Sequence, residues 1–306
     1  APDITANATD TTVECDGSGN TADLNAWLAS NANAAATDDC GTVTWTNDFT
    51  ALSDDCGATG FATVTFTATD DCGNATNTTA QFIIIDTTIP TIDSPAQDTL
   101  IQCDAANQLA LVNAWLANNG GATASDICSN VTWTNDYTNN ISDECGATGS
   151  ATITFTATDD CGNANTSSAT LTIEDNTAPA IDTQASDITV ECDGFGNDAQ
   201  LQAWLAANGN AVSSDDCSAV TWTNNYTTLS DDCGATGSAT VTFTATDDCG
   251  NNTSTTAQFI IQDTTDPVFD TPAQDTTIQC NTANQDALIA AWLANNAGAT
   301  SSDVCG

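Results

Sequence analysis

The stretch Cys56 to Asn74, CGATGFATVTFTATDDCGN, decides how the chain is read, because it returns as Cys145 to Asn163 (CGATGSATITFTATDDCGN) and as Cys233 to Asn251 (CGATGSATVTFTATDDCGN). Its centre alternates apolar and threonine side chains, and a period of two marks a strand with one face on a core. Val64 and Phe66 point inward, while Thr63, Thr65 and Thr67 point to water, where a β-branched hydroxyl suits a solvated pleat. Gly57 and Gly60 precede the strand, and Asp70, Asp71, Gly73 and Asn74 follow it, all residues with turn chemistry. The stretch is one central strand with a cysteine-bearing turn at each end.

The rest of the chain keeps the same period. Cys15, Cys103, Cys192 and Cys280 are spaced 88, 89 and 88 apart, and Pro2, Pro90, Pro179 and Pro267 keep that spacing. This divides the 306 residues into repeats 1-88, 89-177 and 178-265 and an incomplete fourth, 266-306. The length of a repeat exceeds that of a solenoid unit and approaches the roughly 100 residues of an immunoglobulin-like sandwich. The expected fold is all-β: tandem immunoglobulin-like antiparallel β-sandwiches, each with one short inserted helix. The chain begins at a repeat boundary and stops inside a turn, as a segment of a longer polypeptide would.

Within the first repeat, Asp10 to Cys15 reads as a short strand, followed by a helix in which Leu24, Trp27 and Leu28 share one face. The face recurs as Val112, Trp115 and Leu116, as Leu201, Trp204 and Leu205, and as Leu288, Trp292 and Leu293. So short a helix must be docked on the sandwich, and its tryptophan is expected in the core. Asn208-Gly209 ends the third copy. Trp45, with Trp133 and Trp222, falls on the strand where an immunoglobulin-type fold keeps its buried ring. Ala80 to Ile85 forms a last strand, and the linker Asp86-Thr-Thr-Ile-Pro90 is short enough to hold neighbouring repeats in contact, as in a stiff rod.

Fourteen cysteines, four per full repeat, come without a histidine or a CxxC knuckle, so disulfides are expected rather than zinc. They imply an oxidising, extracellular setting. Four cysteines allow three connectivities. Strand topology places Cys40 and Cys72 at one end of the sandwich and Cys15 and Cys56 at the other. The expected pairs are therefore Cys40 with Cys72, Cys15 with Cys56, Cys128 with Cys161, Cys103 with Cys145, Cys217 with Cys249, and Cys192 with Cys233.

Lysine, arginine and histidine are absent, and 41 carboxylates leave a formal charge of −41. Such a chain cannot neutralise phosphates or adhere to an anionic membrane through a basic patch. It has no apolar run of membrane-spanning length. Its self-repulsion must be offset by salt or by bound cations.

The block TFTATDDCGN, the strand running into DTT-x-P, and the TVEC strand after it resemble hyalin-repeat (HYR-like) domains. These are immunoglobulin-like tandem domains of extracellular adhesion proteins, including very large bacterial surface proteins. The resemblance implies an adhesive or structural, non-enzymatic role and supplies no catalytic residue. Paired acids such as Asp38 and Asp39, Asp54 and Asp55, or Asp70 and Asp71 recur in every repeat without a nucleophile beside them, so they do not read as an acid–base site.

Calcium is the cofactor these acids suit, because a hard cation takes several oxygen ligands. Candidate ligands at the junctions are Asp86 with Asp126, Asp159 and Asp160, and Asp175 with Asp215, Asp216, Asp247 and Asp248. Sequons at Asn7, Asn74, Asn77, Asn130, Asn140, Asn165, Asn225, Asn251 and Asn252 are candidate glycosylation sites. The functional expectation is a rod-like fibre or adhesin stalk whose partners are adjacent repeats or further copies of the chain. The alternative is an array binding a glycan or partner surface, for which Phe61 and Phe195 are aromatics that the other repeats do not share.

Overall fold

A computed structural model describes residues 1–306. It is all-β with short helices, and the same set of elements recurs along the sequence. In the first repeat these are β1 (Asp3–Ala6), β2 (Thr11–Glu14), α1 (Thr21–Ala29), β3 (Ala35–Thr37), β4 (Thr44–Asn47), β5 (Gly60–Thr69) and β6 (Ala75–Ile85). β1 pairs with β3 in a two-stranded sheet, and a four-stranded sheet runs in the order β2-β6-β5-β4.

The chain gathers into two compact units, Ala1–Asp143 with Thr148–Glu174, and Glu144–Ala147 with Asp175–Gly306. The first holds the first two repeats save Glu144–Ala147 and residues 175–177. The second holds those seven, the third repeat and the incomplete fourth.

The alternation of β5 is realised: Val64, Phe66 and Ala68 are fully buried, whereas Thr63 is exposed. β5 pairs with β6 in register from Gly60 opposite Ile84 to Thr69 opposite Ala75, which sets Phe82 and Ile84 on the same core. The hairpin closes through Asp70, whose carboxylate accepts the backbone N–H of Cys72 and of Asn74 at 2.9 Å each. One pairing departs from the antiparallel expectation. β2 lies parallel to β6, Thr11 opposite Phe82 to Glu14 opposite Ile85. It reaches that edge from β1 without a hairpin, so nothing forces the strands to oppose.

The helix is docked as its apolar face requires. Asn20, in the left-handed region (φ 49°) and buried, donates from Nδ2 to the Glu14 carbonyl at 2.8 Å, fixing the turn from β2 into α1. Trp27 Nε1 donates to the Thr9 carbonyl at 3.1 Å while its ring meets Phe66 edge-on, centroids 5.2 Å apart. Trp204 repeats both contacts, with Ser186 and with Phe243.

These helical rings, 5% and 4% exposed, occupy the core place expected of the strand tryptophans. Trp45, Trp133 and Trp222 are only half-buried, because a helix already covers the face where an immunoglobulin-type ring would sit. In the fourth repeat Leu288 and Leu293 are exposed, since the chain there carries a two-stranded sheet but no four-stranded one for the helix to cover.

The cysteine connectivity overturns the expected pairing. Cys15 is bonded to Cys128 and Cys56 to Cys161 in the first unit, Cys145 to Cys249 and Cys192 to Cys305 in the second. Cys103 and Cys217 are also disulfide-bonded. Cys40, Cys72, Cys233 and Cys280 are free and exposed. The pairs Cys15–Cys56, Cys40–Cys72, Cys128–Cys161 and Cys192–Cys233 therefore do not form, nor do Cys103–Cys145 and Cys217–Cys249.

Cys15 and Cys56 nonetheless lie at one end, Cys15 Sγ being 3.8 Å from the Ala58 carbonyl, two residues beyond Cys56. The partner differs because the short linker brings the next repeat's turns against that end. Gly57 makes the approach possible: its φ is +58°, and a Cβ there would collide with the Cys128 carbonyl.

Candidate functional site

The candidate site is the junction built around the linker that follows β6. In the first unit its frame is covalent, the bonds Cys15–Cys128 and Cys56–Cys161 holding Cα atoms 6.1 and 5.1 Å apart. Backbone contacts reinforce it, the N–H of Ala58 donating to the Cys128 carbonyl at 2.7 Å. Asn163 Nδ2 donates to the Asp86 carbonyl at 3.1 Å, and Asn165 Nδ2 to the Pro90 carbonyl at 2.9 Å.

The linker is also clamped from its own repeat. Glu14 accepts the Thr87 N–H at 2.7 Å and the hydroxyls of Thr87 and Thr88 at 3.0 and 3.1 Å. Glu191 does the same with Thr264 and Thr265. These bonds, the backbone N–H foremost, hold both carboxyls below the usual glutamate value.

A group lowered on folding contributes stability that is present above its unfolded value, about 4.3, and is lost as pH falls through the folded one. Amide exchange at Thr87 and Thr264, corrected for intrinsic rates, should therefore accelerate on acidification below that range. In a Glu14→Gln variant, exchange at Thr87 should show no such titration.

Against this frame lie carboxylates. The ligand atoms of Asp86, Asp126 and Cys128 fall within 4.8 Å of one another, and Cys128 is spent in its disulfide. Asp159 joins through Asn163, whose Nδ2 donates to Asp159 Oδ2 at 2.8 Å as well as to the Asp86 carbonyl. Asp86 is 9% exposed; one of its oxygens accepts the Thr88 N–H, and Oδ2 is buried with no hydrogen-bond partner. Burial, then the charges of Asp126 and Asp159, push its carboxyl above the usual value.

The second unit repeats the arrangement, with Asp175, Asp215 and Asp247 within 4.8 Å of one another and Asn251 linking Asp247 to the Asp175 carbonyl.

Of the candidate ligands, the inner acid of each pair joins a cluster and the outer one does not. Asp160, Asp216 and Asp248 are exposed. Asp160 instead accepts the backbone and side-chain N–H of Asn130, and Asp248 that of Ala219. For Asp159 and Asp247 this follows from the pleat, each being the last, inward position of its strand, while Asp160 and Asp248 lie in the turn beyond.

Several sequons are occupied by structural work. Asn74, Asn130, Asn165 and Asn251 donate their amides to Asp70, Asp160, Pro90 and Asp247 respectively, and Asn140 to Thr138 at 3.5 Å. Asn7, Asn77, Asn225 and Asn252 are exposed. Phe61 and Phe195 are exposed as well, Phe195 at 89%.

Fold and junction together define a class, that of tandem β-sandwich repeats cross-linked by disulfides from one repeat to the next. Disulfides of this density belong outside the reducing cytosol, and the protein is extracellular. No helix is long and apolar enough to cross a membrane. No protein-family model matches the chain, and no curated protein matches it.

Among solved structures it is similar to extracellular cadherin repeats. A protocadherin gammaB7 EC3-6 cis-dimer structure matches at 12% identity and TM-score 0.29, over 89% of this chain and 77% of that one. Mouse cadherin-23 EC22-24 matches at 12% identity and TM-score 0.29, over 86% and 99%. Drosophila N-cadherin EC1-4 matches at 10% identity and TM-score 0.27, over 86% and 75%.

Proposed function

We propose that this protein is a non-enzymatic structural element of the cell exterior, a rod-like fibre or adhesin stalk in which successive repeats are chained covalently. The observation that carries the reading is the pair of bonds Cys15–Cys128 and Cys56–Cys161, each joining one repeat to the next. A disulfide that only stabilised a repeat would close within it; these span the linker and resist separation of neighbours.

The repeat boundaries 1-88, 89-177, 178-265 and 266-306 are the domains of this reading. The TFTATDDCGN and DTT-x-P blocks support assigning them to hyalin-repeat-like domains. Calcium is the cofactor proposed for the junctions, self-association is the proposed mode of partnership, and exposed Asn7, Asn77, Asn225 and Asn252 are the proposed places for sugars. The absence of lysine and arginine supports a long-lived exposed role, because trypsin-like proteases find no cleavage site.

The test is a non-reducing peptide map of the native secreted material by mass spectrometry, after digestion at aromatic and acidic residues. Linked peptides joining Cys15 to Cys128 and Cys56 to Cys161 are expected. Peptides joining Cys15 to Cys56 instead would end the covalent-chain reading.

A further inference from the structure

The junction carboxylates pose an electrostatic problem that the sequence cannot solve internally, because it has no lysine, arginine or histidine to lend them a counter-charge. Asp86 and Asp159 are 9% and 5% exposed, Asp126 is half-buried, and Asp86 Oδ2 is buried without a hydrogen-bond partner. A buried carboxylate oxygen left unpaired is costly, and native structures pair such atoms with a donor, an ion or ordered water.

Local donors are already committed elsewhere. Asp126 Oδ1 takes the N–H groups of Cys128 and Ser129, and Asp159 takes those of Cys161 and Asn163. Each side chain is thereby fixed by its turn; Asp126 keeps its second oxygen to bind, and Asp159 Oδ2 carries a single hydrogen bond, from the Asn163 amide, leaving a lone pair. In the second unit the counterpart acids Asp175, Asp215 and Asp247 all lie within 4.8 Å of one another with the same bridging asparagine, so the gathering of acids at the junction is not an accident of one loop.

We propose that each of these junctions binds one divalent cation of the calcium type, held by Asp86, Asp126 and Asp159 in the first unit and by Asp175, Asp215 and Asp247 in the second. The proposal deepens the reading above and rests on it for the junction itself. Donor chemistry selects the ion: the groups on offer are carboxylate oxygens and the only sulfurs nearby are oxidised, which suits a hard cation. Oxygens from two neighbouring turns and a linker form an irregular shell with water completing it. Calcium tolerates such a shell, whereas magnesium demands a near-octahedral one. The ion would tie the linker acid to the next repeat's turns at the point where the two disulfides already fix their separation.

The test uses the intact oxidised chain, freed of metal with a chelator and titrated calorimetrically with calcium chloride or magnesium chloride. Calcium should bind at both clusters, more tightly than magnesium, and raise the melting temperature. Asp86→Asn should remove one bound equivalent, and Asp86→Asn with Asp175→Asn should remove two. Asp126→Asn should weaken the first site by about tenfold or more, at least the loss that removing an outer-shell partner causes.

In chelator Asp86→Asn should melt no lower than the parent, since it removes an unpaired buried charge. In calcium it should melt lower, and this crossover separates ligand loss from misfolding. No heat and no melting shift at millimolar calcium, or an Asp86→Asn chain that keeps the full stoichiometry, would overturn the proposal. A peptide map on the same sample keeps the two readings apart. Repeat-to-repeat disulfides without calcium binding would leave the chained stalk standing and sink the cation site alone.

Discussion

Replacing Cys56 and Cys161 together with serine should lower the unfolding free energy of the first unit by about 4 to 5 kcal/mol. The bond spans 105 residues, and closing a loop of roughly 100 is worth about that much in the chain-entropy account. Denaturant unfolding of the oxidised parent and the double variant, with equal reductant-free buffers, checks it. Substituting Cys15 and Cys128, 113 residues apart, should act similarly. The free Cys40 and Cys72 are the internal control, because serine at either position removes no bond and should change stability by less than about 0.5 kcal/mol. A loss below about 1 kcal/mol for the junction pair would mean that the bonds do not constrain the unfolded chain as their span implies.

Trp27→Ala should cost about 3 to 5 kcal/mol, the usual range for emptying a buried aromatic site. Its ring fills the space between α1 and the sheet against Phe66 and Phe82, and its indole N–H is satisfied by the Thr9 carbonyl. Trp27→Phe keeps most of the ring and loses the hydrogen bond, so a smaller loss is expected. Trp45→Ala provides the contrast, since that ring is half-exposed on its strand and should cost markedly less. Thermal unfolding of the three variants ranks the two tryptophans. Equal losses at Trp27 and Trp45 would contradict a core centred on the helix.

Side chains whose environment is set by periodicity were legible from the start. Val64 and Phe66 follow from alternation, and Leu24 and Trp27 from helical spacing, because both patterns record which face meets a core. The choice between two tryptophans was harder, as Trp45 sits correctly for a common sandwich and only the docked helix displaces its role.

Cysteine partners were legible to the level of the end on which each lies and no further. The sequence distance between Cys15 and Cys56 is short and that to Cys128 long, yet the geometry of a five-residue linker outweighs both. One signal was available. Gly57, Gly146 and Gly234 each follow a cysteine directly, and each now proves to be where the next repeat's backbone approaches. Among the acids, adjacent pairs could not be separated until the strand ends were fixed, because Asp159 closes its strand and Asp160 lies in the turn beyond.

The linker between the first two repeats is not the sole covalent route across its junction. Backbone, Cys15–Cys128 and Cys56–Cys161 run side by side, so a peptide bond cut anywhere from Asp86 to Pro90 leaves the pieces attached through sulfur. Tension on the chain is divided among three strands of covalent structure rather than carried by one. A nicked molecule would stay in one piece until it met a reductant, and electron supply, more than proteolysis, would set how long it lasts.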